Sequence, residues 1–543
     1  MIAQIAPAAL RARLTESESE VALLDVREQG AFARGHILLA SNAPISRLEI
    51  DAPRLVPRRS AAVVLCDGGD GVARRAAEAL IRFGYREVAV LDGGVAGWSA
   101  AGFALFEGVY VPSKAFGEFV EAAWGTPHLS ADELARLRAD GQNVVVLDSR
   151  PMSEYRHMSI PGGIDVPGAD LVQRIRDLAP DPDTLVVVNC AGRTRSIIGA
   201  QSLINAAIAN QVAALANGTM GWSLAGYELE HDQARVPPPL SDAARAWAQQ
   251  AAARVAARFG VRTIDHATLA RFREEAEART LYLCDVRAPE EYAAGHLPGA
   301  LCTPGGQLVQ ATDACLGTRN ARVVLVDDDG VRATMTASWL IQMGWRDAFV
   351  LRGGLCGDLE LGPERTEVLG LDDGSIDAAV NPATLARMAE GDGVRILDLA
   401  DSRAYRTGHI PGAWWVSRAR LAHDLASVPP APAHVLTSPD GILARLALAE
   451  VRRLVRAPVQ VLADGTETWR AAGLPLSGGA EHLAGAEDDV YLRPYDRAPE
   501  QAPQAMRDYL RWETALVPQL ERDGTIVFPS FRCTRCGTVR EPR

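Results

Sequence analysis

Long apolar runs are absent from this sequence. No stretch approaches the roughly 18 apolar residues that a membrane-spanning helix requires, so we expect no membrane partner. Residues Met1 to Leu10 have no basic start and no sustained apolar core, and we therefore do not expect a signal peptide.

Cysteine and positive charge are also scarce. The 543 residues include only eight cysteines, which does not suit a disulfide-stapled scaffold, and a reducing cytoplasm is the expected setting. Acidic residues outnumber basic ones by 68 to 56, giving a net charge of −12 at pH 7. This surplus disfavours nucleic acid and anionic membranes as partners, because both would be repelled.

Internal repetition shows how so long a chain divides into several hydrophobic cores. An apolar strand that ends in aspartate occurs four times, at Asp25, Asp148, Asp285 and Asp398. Each is followed by a Gly-His-Ile element or a variant of it, by a second apolar strand, and by a Gly-Gly, Asn-Gly or Asp-Gly pair. The intervals are domain-sized, which excludes a solenoid of short repeats.

Within each repeat, short strands alternate with helical patterns, which is typical of a parallel sheet covered by helices. We predict an α/β chain of four such domains and a short helical tail with a Cys-x-x-Cys motif. The third domain is expected to begin with a linker helix. The predicted segments are 1–106, 107–236, 237–360, 361–478 and the tail 479–543.

Helical or aromatic patterns also occur between and after the repeats. Residues 106–129 contain several aromatics and are expected to pack, and residues 240–259 form an Ala/Arg-rich helical stretch. We expect the helix of the tail, at about residues 503–521, to dock on the fourth domain. Its apolar stripe consists of Met506, Tyr509, Leu510, Leu516 and Leu520.

The second repeat carries a cysteine where chemistry is expected. The apolar strand from Leu185 to Val188 leads through Cys190-Ala-Gly-Arg-Thr-Arg195 into a helix. Ligands bind at such strand ends in parallel sheets, because the first helical amides are unpaired. The helix dipole and two arginines should lower the pKa of Cys190 and give a nucleophilic thiolate facing an anionic substrate. A buried cysteine that fills space is the alternative.

This stretch, Cys190 to Ser196, resembles the active loop of the rhodanese (sulfurtransferase) family. The resemblance covers about residues 20–475 and implies four rhodanese-like domains, with a persulfide formed on Cys190. It also implies that the loop holds the sulfur and that its basic side chains hold an anionic donor. Those loop residues are Ala191, Gly192, Arg193, Thr194, Arg195 and Ser196. Other family marks are Asp148-Ser-Arg150, Glu154-Tyr155, His157 to Gly162, and Asn217-Gly218 with Trp222 and Gly226.

The other three loops differ from the second. The first, Cys66-Asp-Gly-Gly-Asp-Gly71, has carboxylates that disfavour a thiolate and repel anions, so Cys66 is a second candidate nucleophile ranked below Cys190. Asp327 stands at the nucleophile's position in the third loop. Ser438 in the fourth has no visible base to activate it. We predict that the third and fourth domains are inactive.

Some recurring polar residues are expected to be structural. The histidines of the Gly-His elements should fix a turn, and the arginines after the first strand should pair with local carboxylates. The histidines are His36, His296 and His409, and the arginines are Arg27, Arg150 and Arg287.

The leading interpretation is a cytoplasmic sulfurtransferase that needs no cofactor. It would move a sulfane sulfur from a small anionic donor, most simply thiosulfate, to a thiol or cyanide acceptor. The alternatives are a persulfide carrier for a partner enzyme of sulfur metabolism and a non-catalytic scaffold of rhodanese-like domains. A scaffold would show no turnover with thiosulfate.

The tail contains Cys533-Thr-Arg-Cys536, which suits half of a zinc site. Two chains could each supply one pair and so form a homodimer. A redox dithiol, a persulfide acceptor and an unstructured tail are the alternatives.

If Cys533 and Cys536 bind zinc between two chains, the purified protein should contain about half a zinc ion per chain, because four thiolates complete the site. Elemental analysis measures this, with the double variant Cys533→Ser/Cys536→Ser as the control. Zinc-free protein of unchanged size would contradict the prediction.

Overall fold

The computed structural model describes residues 2–16, 19–365, 367–371, 379–391 and 393–529. Its strands form four sheets, and we call each sheet with its helices a unit. The predicted α/β class, with four parallel sheets flanked by helices, is confirmed. Cys533 and Cys536 lie outside the described residues.

The first unit begins the chain. Its strands are short apolar runs because a parallel sheet is buried on both faces. Its elements are β1 (Ala3–Ile5), α1 (Pro7–Glu16), β2 (Val21–Asp25), α2 (Gln29–Ala33), β3 (Ser41–Asn42), α3 (Leu48–Leu55), β4 (Ala62–Cys66), α4 (Val72–Arg82), β5 (Glu87–Leu91) and α5 (Gly94–Ala100).

A helix joins the first unit to the second. This helix is α6 (Val111–Trp124), and the second unit consists of β6 (His128–Leu129), α7 (Ala131–Ala139), β7 (Val144–Asp148), α8 (Met152–His157), β8 (Ile164–Asp165), α9 (Leu171–Leu178), β9 (Leu185–Asn189), α10 (Thr194–Asn205), β10 (Val212–Leu215) and α11 (Gly218–Leu224).

The predicted linker helix before the third unit is present as α12 (Asp242–Phe259). The third unit then consists of β11 (Arg262–Ile264), α13 (His266–Glu274), β12 (Leu281–Asp285), α14 (Pro289–Ala294), β13 (Leu301–Cys302), α15 (Gly305–Gln310), α16 (Thr312–Cys315), β14 (Thr318–Arg319), β15 (Arg322–Val326), α17 (Val331–Gln342) and β16 (Ala348–Leu351).

The fourth unit and the tail complete the described chain. They consist of β17 (Ala379–Val380), α18 (Pro382–Met388), β18 (Arg395–Asp398), α19 (Ser402–Thr407), β19 (Trp414–Trp415), a 3-10 turn (Arg418–Arg420), α20 (Leu421–Asp424), β20 (His434–Thr437), α21 (Ile442–Leu454), β21 (Val459–Leu462), α22 (Gly465–Ala471), a second 3-10 turn (Pro494–Asp496), α23 (Ala502–Thr514) and α24 (Leu516–Asp523).

The four sheets share one strand plan. The second has the order β6-β10-β9-β7-β8, the third β11-β16-β15-β12-β13 and the fourth β17-β21-β20-β18-β19, all parallel. The first repeats this order as β1-β5-β4-β2-β3. It also gains β14 of the third unit, which pairs antiparallel with β2. Backbone hydrogen bonds therefore join the first and third units directly.

The tail helices do not dock on the fourth unit, so that prediction was wrong. They pack against α6 and the second unit. Leu516 and Leu520 enter the core formed by α6 and α10, and Met506 packs against Ala191 and Met220 beside α11. The apolar stripe was identified correctly, but it is covered by α6, which is itself buried around most of its circumference.

None of the helices in the described ranges is long and apolar enough to span a membrane.

Phe116 of α6 tests this shared core. Its fully buried ring packs edge-on against Trp339 of the third unit and Phe528 of the tail. Phe116→Ala should destabilise the protein by about 3–5 kcal/mol, the usual cost of emptying a buried aromatic site. Thermal unfolding measures this, and half-buried Phe272→Ala is the control. Equal effects of the two substitutions would contradict a shared core at α6.

Candidate active site

Strand register decides which residue occupies the nucleophile's position in each unit. In the second unit Asp148 pairs with Asn189, so Cys190 is the first residue after β9. In the first unit the equivalent Asp25 pairs with Cys66, which makes Cys66 the counterpart of Asn189. The residues that correspond to Cys190 in the other units are Asp67, Asp327 and Ser438.

The interpretation of Cys66 as a second candidate nucleophile is therefore contradicted. The thiol is completely buried in an apolar cluster, and burial, followed by the charge of Asp25, raises its pKa well above the ordinary value. Asp67 at the nucleophile's position accepts hydrogen bonds from the Gly69 and Ala73 amides. Counting the loop from Cys66 placed it one residue out of register.

The Cys190 side chain faces the N-terminus of α10. The Ser196 hydroxyl donates a hydrogen bond to Sγ at 3.0 Å. Within the described ranges, the peptide NH groups of Ala191 to Arg195 donate to no backbone carbonyl, as expected at a helix start. Gly218 crosses directly behind the loop, with φ +54°, and a Cβ there would lie 2.2 Å from the Cys190 carbonyl oxygen. A group on Sγ therefore meets unpaired amides and a hydroxyl.

Side chains at the same position in the third and fourth units satisfy the equivalent helix start themselves. The Ala333 amide donates to Asp327 Oδ2 at 3.1 Å, and the Ala444 amide donates to Ser438 Oγ at 3.3 Å. In these loops the oxygen at the position of Cys190 caps the helix, and no thiol stands there.

Both loop arginines are occupied by carboxylates. Arg193 binds Glu118 at 2.6 Å through Nε and also Glu121, both on α6. Arg195 forms a two-pronged pair with Glu154, at 2.9 and 2.7 Å. The resemblance implied that these guanidinium groups hold the anionic donor. The structure instead directs them at protein carboxylates, which cancel much of their charge.

The expected low pKa of Cys190 is also not found. Burial raises the pKa of this thiol, which is only 2% exposed, and that effect exceeds the lowering by the Arg195 charge and the Ser196 hydrogen bonds. Arg195 also interacts with Glu154. Burial opposes ionisation of this carboxyl, but the charge and hydrogen bonds of Arg195 lower its pKa to about 2. Cys190 is thus a protected thiol in this state.

The tail helix α23 covers the Cys190 loop. Glu513, 1% exposed, accepts a hydrogen bond from the Thr194 hydroxyl at 2.9 Å. A Cβ added at Gly192 would lie 3.2 Å from Glu513 Oε2 and 3.3 Å from the Tyr509 ring. The close neighbour of Gly192, one of the loop residues implied to hold the sulfur, is therefore the tail.

Lys114 on α6 was missed by the sequence reasoning. It is 4% exposed, and its ammonium lies 4.7 Å from the Tyr509 ring centre and 5.0 Å from that of Trp512. Burial lowers its pKa to about 8, the charge of Arg195 lowers it further, and the charges of Glu513, Asp313 and Cys190 raise it. A signal was available, because Lys114 is the only lysine in 543 residues.

The residues expected to be structural are so. Arg27, Arg150 and Arg287 bind Asp25, Asp148 and Asp285 through paired hydrogen bonds. Each Gly-His ring stacks on the aromatic residue four positions earlier and contacts its carbonyl: His36 on Phe32, His296 on Tyr292 and His409 on Tyr405. These groups fix the turn after the first strand of each core.

Two other polar clusters were compared with the Cys190 loop. A cavity of about 450 Å³ between the first, third and fourth units is lined by acidic and basic side chains, and it includes no residue of that loop. Asp327, Asp328 and Asp329 bring carboxylates together. Their oxygens cap α17 and bind Arg332 and Arg245. Neither cluster brings a nucleophile to a helix start.

The two thiols should differ in reactivity. Alkylation by iodoacetamide at pH 7 should modify Cys190 before Cys66, because burial and Asp25 suppress the Cys66 thiolate more strongly. Because burial raises the pKa of Cys190, its labelling rate should keep rising as the pH increases above 7. Peptide mapping measures both rates. Faster modification of Cys66 would contradict the assignment from strand register.

Known proteins share this architecture. The rhodanese-like domain family matches residues 6–101, 130–225, 267–357 and 381–472. The crystal structure of a thiosulfate sulfurtransferase from Pseudomonas aeruginosa is 50% identical, with a TM-score of 0.92. The similarity covers 98% of this chain and 100% of that one.

Two curated relatives match single domains. The HTH-type transcriptional regulator Rv0324 of Mycobacterium tuberculosis is 35% identical over 116 residues, which are 20% of this chain and 48% of that protein. The uncharacterized protein YibN of Escherichia coli is 31% identical over 97 residues, 18% of this chain and 67% of that protein. The chain thus spans about half the length of the first relative.

The family matches cover more than half of the chain, and each contains the central strands of one sheet. The cysteine at the end of β9 lies within the second match. The chain therefore belongs to the rhodanese-like family and has a sulfurtransferase fold.

Proposed function

We propose that the protein transfers a sulfane sulfur from thiosulfate or a similar anionic donor to a thiophilic acceptor through a persulfide on Cys190. The observation that carries the proposal is the position of this thiol. It follows β9 directly, accepts a hydrogen bond from the Ser196 hydroxyl and faces the unpaired amides at the start of α10. The whole-length similarity to a thiosulfate sulfurtransferase supports it.

The first step requires the Cys190 thiolate. It attacks the outer sulfur of thiosulfate, and the bond between the two donor sulfurs breaks as the new sulfur–sulfur bond forms. Sulfite leaves with the electron pair of the broken bond, and Cys190 persulfide remains. The Ser196 hydroxyl and the amides of the loop are placed to stabilise the negative outer sulfur.

The second step returns the cysteine. Cyanide or a thiolate attacks the outer sulfur of the persulfide, and the Cys190 thiolate departs with the electron pair of the sulfur–sulfur bond. A thiol acceptor is the cellular choice and cyanide the convenient assay. Both steps suit the reducing cytoplasm expected from the sequence.

Arg193 and Arg195 have different parts in this proposal from those in the sequence prediction. Arg195 lowers the pKa of Cys190 and so favours the thiolate, which burial opposes. Arg193 ties the loop to α6 through Glu118 and Glu121. Neither has to release its carboxylate for the proposed reaction.

The decisive test combines turnover with intact mass. Thiosulfate and cyanide should give thiocyanate and sulfite with the wild-type protein. Thiosulfate alone should add the mass of one sulfur atom, located on Cys190 by peptide mapping. Cys190→Ser should abolish both results, because no other described loop presents a thiol at this position.

Cys66→Ser is the matched control, because it makes the same change one register position away in the first unit. It should keep most of the activity. Absence of turnover in a wild-type protein that still gains sulfur would favour a persulfide carrier. Absence of both would reject the proposed sulfur transfer and leave a scaffold.

A further inference from the structure

We propose that the Lys114 ammonium receives the anionic end of the sulfur donor beside Cys190. This inference rests on the proposed function and names a residue outside the Cys190 loop. Lys114 belongs to α6, before the second unit, and tail helix α23 holds it against the loop.

The first argument is the state of the other nearby cations. Arg193 is bound by Glu118 and Glu121, and Arg195 is bound by Glu154 and Gln307. Lys114, in contrast, forms no salt bridge within the described part of the chain. A charge that no salt bridge engages is the one that an incoming anion can use.

The second argument is the surroundings of the ammonium. The faces of Tyr509 and Trp512 stabilise a cation that has lost most of its water. Glu513 is the carboxylate of the tail whose charge acts on Lys114. Its Oε1 accepts a hydrogen bond from the Thr194 hydroxyl, and its Oε2 is buried without a hydrogen-bond partner among the described residues. The ammonium and the carboxylate thus face the same loop without closing on each other.

The third argument comes from composition. Of 56 basic residues in the chain only Lys114 is a lysine, so arginine supplies every surface and structural cation. A compact ammonium carries its charge on one atom, whereas a guanidinium is larger and planar. The only ammonium side chain in the sequence lies buried beside the one cysteine that occupies the nucleophile's position.

A binding experiment tests this without turnover. Protein labelled with carbon-13 at the lysine ε position gives one lysine NMR resonance, because the chain has one lysine. In Cys190→Ser, thiosulfate should shift this resonance, and the shift should saturate as the thiosulfate concentration is raised. The titration extends to about ten times the wild-type KM, a concentration that should fill most sites. An unchanged resonance over this range would overturn the proposal, whatever the role of Cys190.

Kinetics test the same residue by charge. Lys114→Gln should reduce kcat/KM for thiosulfate by about 10-fold or more, mainly through KM, as for loss of a hydrogen bond to a charged group. Lys114→Arg should retain part of the activity because it keeps the charge. Arg176→Gln is the control, since Arg176 lies over the ring of Trp247 on α12.

An uncharged organic trisulfide separates recognition from folding. It carries sulfane sulfur but no anionic end, so Lys114→Gln should affect its use far less than that of thiosulfate. Equal losses with both donors would make Lys114 a structural residue and overturn the proposal. Continued turnover by Cys190→Ser would instead reject the proposed function, and that result is independent of the lysine resonance.

Discussion

The structure depends on the burial of α6 between the second unit, the third unit and the tail. This helix places two charged side chains, Lys114 and Glu118, in the protein interior, where an uncompensated charge is costly. Glu118 is balanced by Arg193 of the Cys190 loop, and Lys114 by two aromatic faces of the tail. Gly117 permits the close approach, because a Cβ there would lie 2.8 Å from the Thr194 methyl group. The packing of α6 and the conformation of the Cys190 loop therefore depend on each other.

The same constraint gives the units without a loop thiol at the position of Cys190 a physical role. Trp339 of the third unit donates a hydrogen bond to Ser202 on α10, and its ring packs against Phe116. β14 joins the third unit to the first by strand pairing. The fourth unit leads into the tail, whose helix reaches back over Cys190. These units therefore have a structural task whatever their loops do, because their surfaces hold the elements that pack around the second unit.

Local features were predictable from the sequence, and long-range ones were not. The strands ending in Asp25 and Asp148, and the arginines that pair with them, follow from short patterns, because sequence neighbours determine them. The position of the tail could not be deduced, since an apolar stripe does not identify the surface that covers it. The ion pairs of Arg193 could not be predicted for the same reason, because Glu118 lies far away in sequence. The placement of Cys66 at the nucleophile's position was wrong by one residue, because the register is visible only in the strand pairing.

The charge balance of the site explains why a loop rich in arginine can still hold a protonated thiol. Three cations, Arg193, Arg195 and Lys114, meet five carboxylates, Glu118, Glu121, Glu154, Glu513 and Asp313. The proposed function requires a dianionic donor to come close to these side chains. Every additional carboxylate that is ionised there opposes the entry of the donor. Burial raises the pKa of Glu513, which favours its neutral form. Glu118 and Glu121 bind Arg193 and Glu154 binds Arg195, so among the described residues the Lys114 charge is the one that no salt bridge engages and that the donor can use.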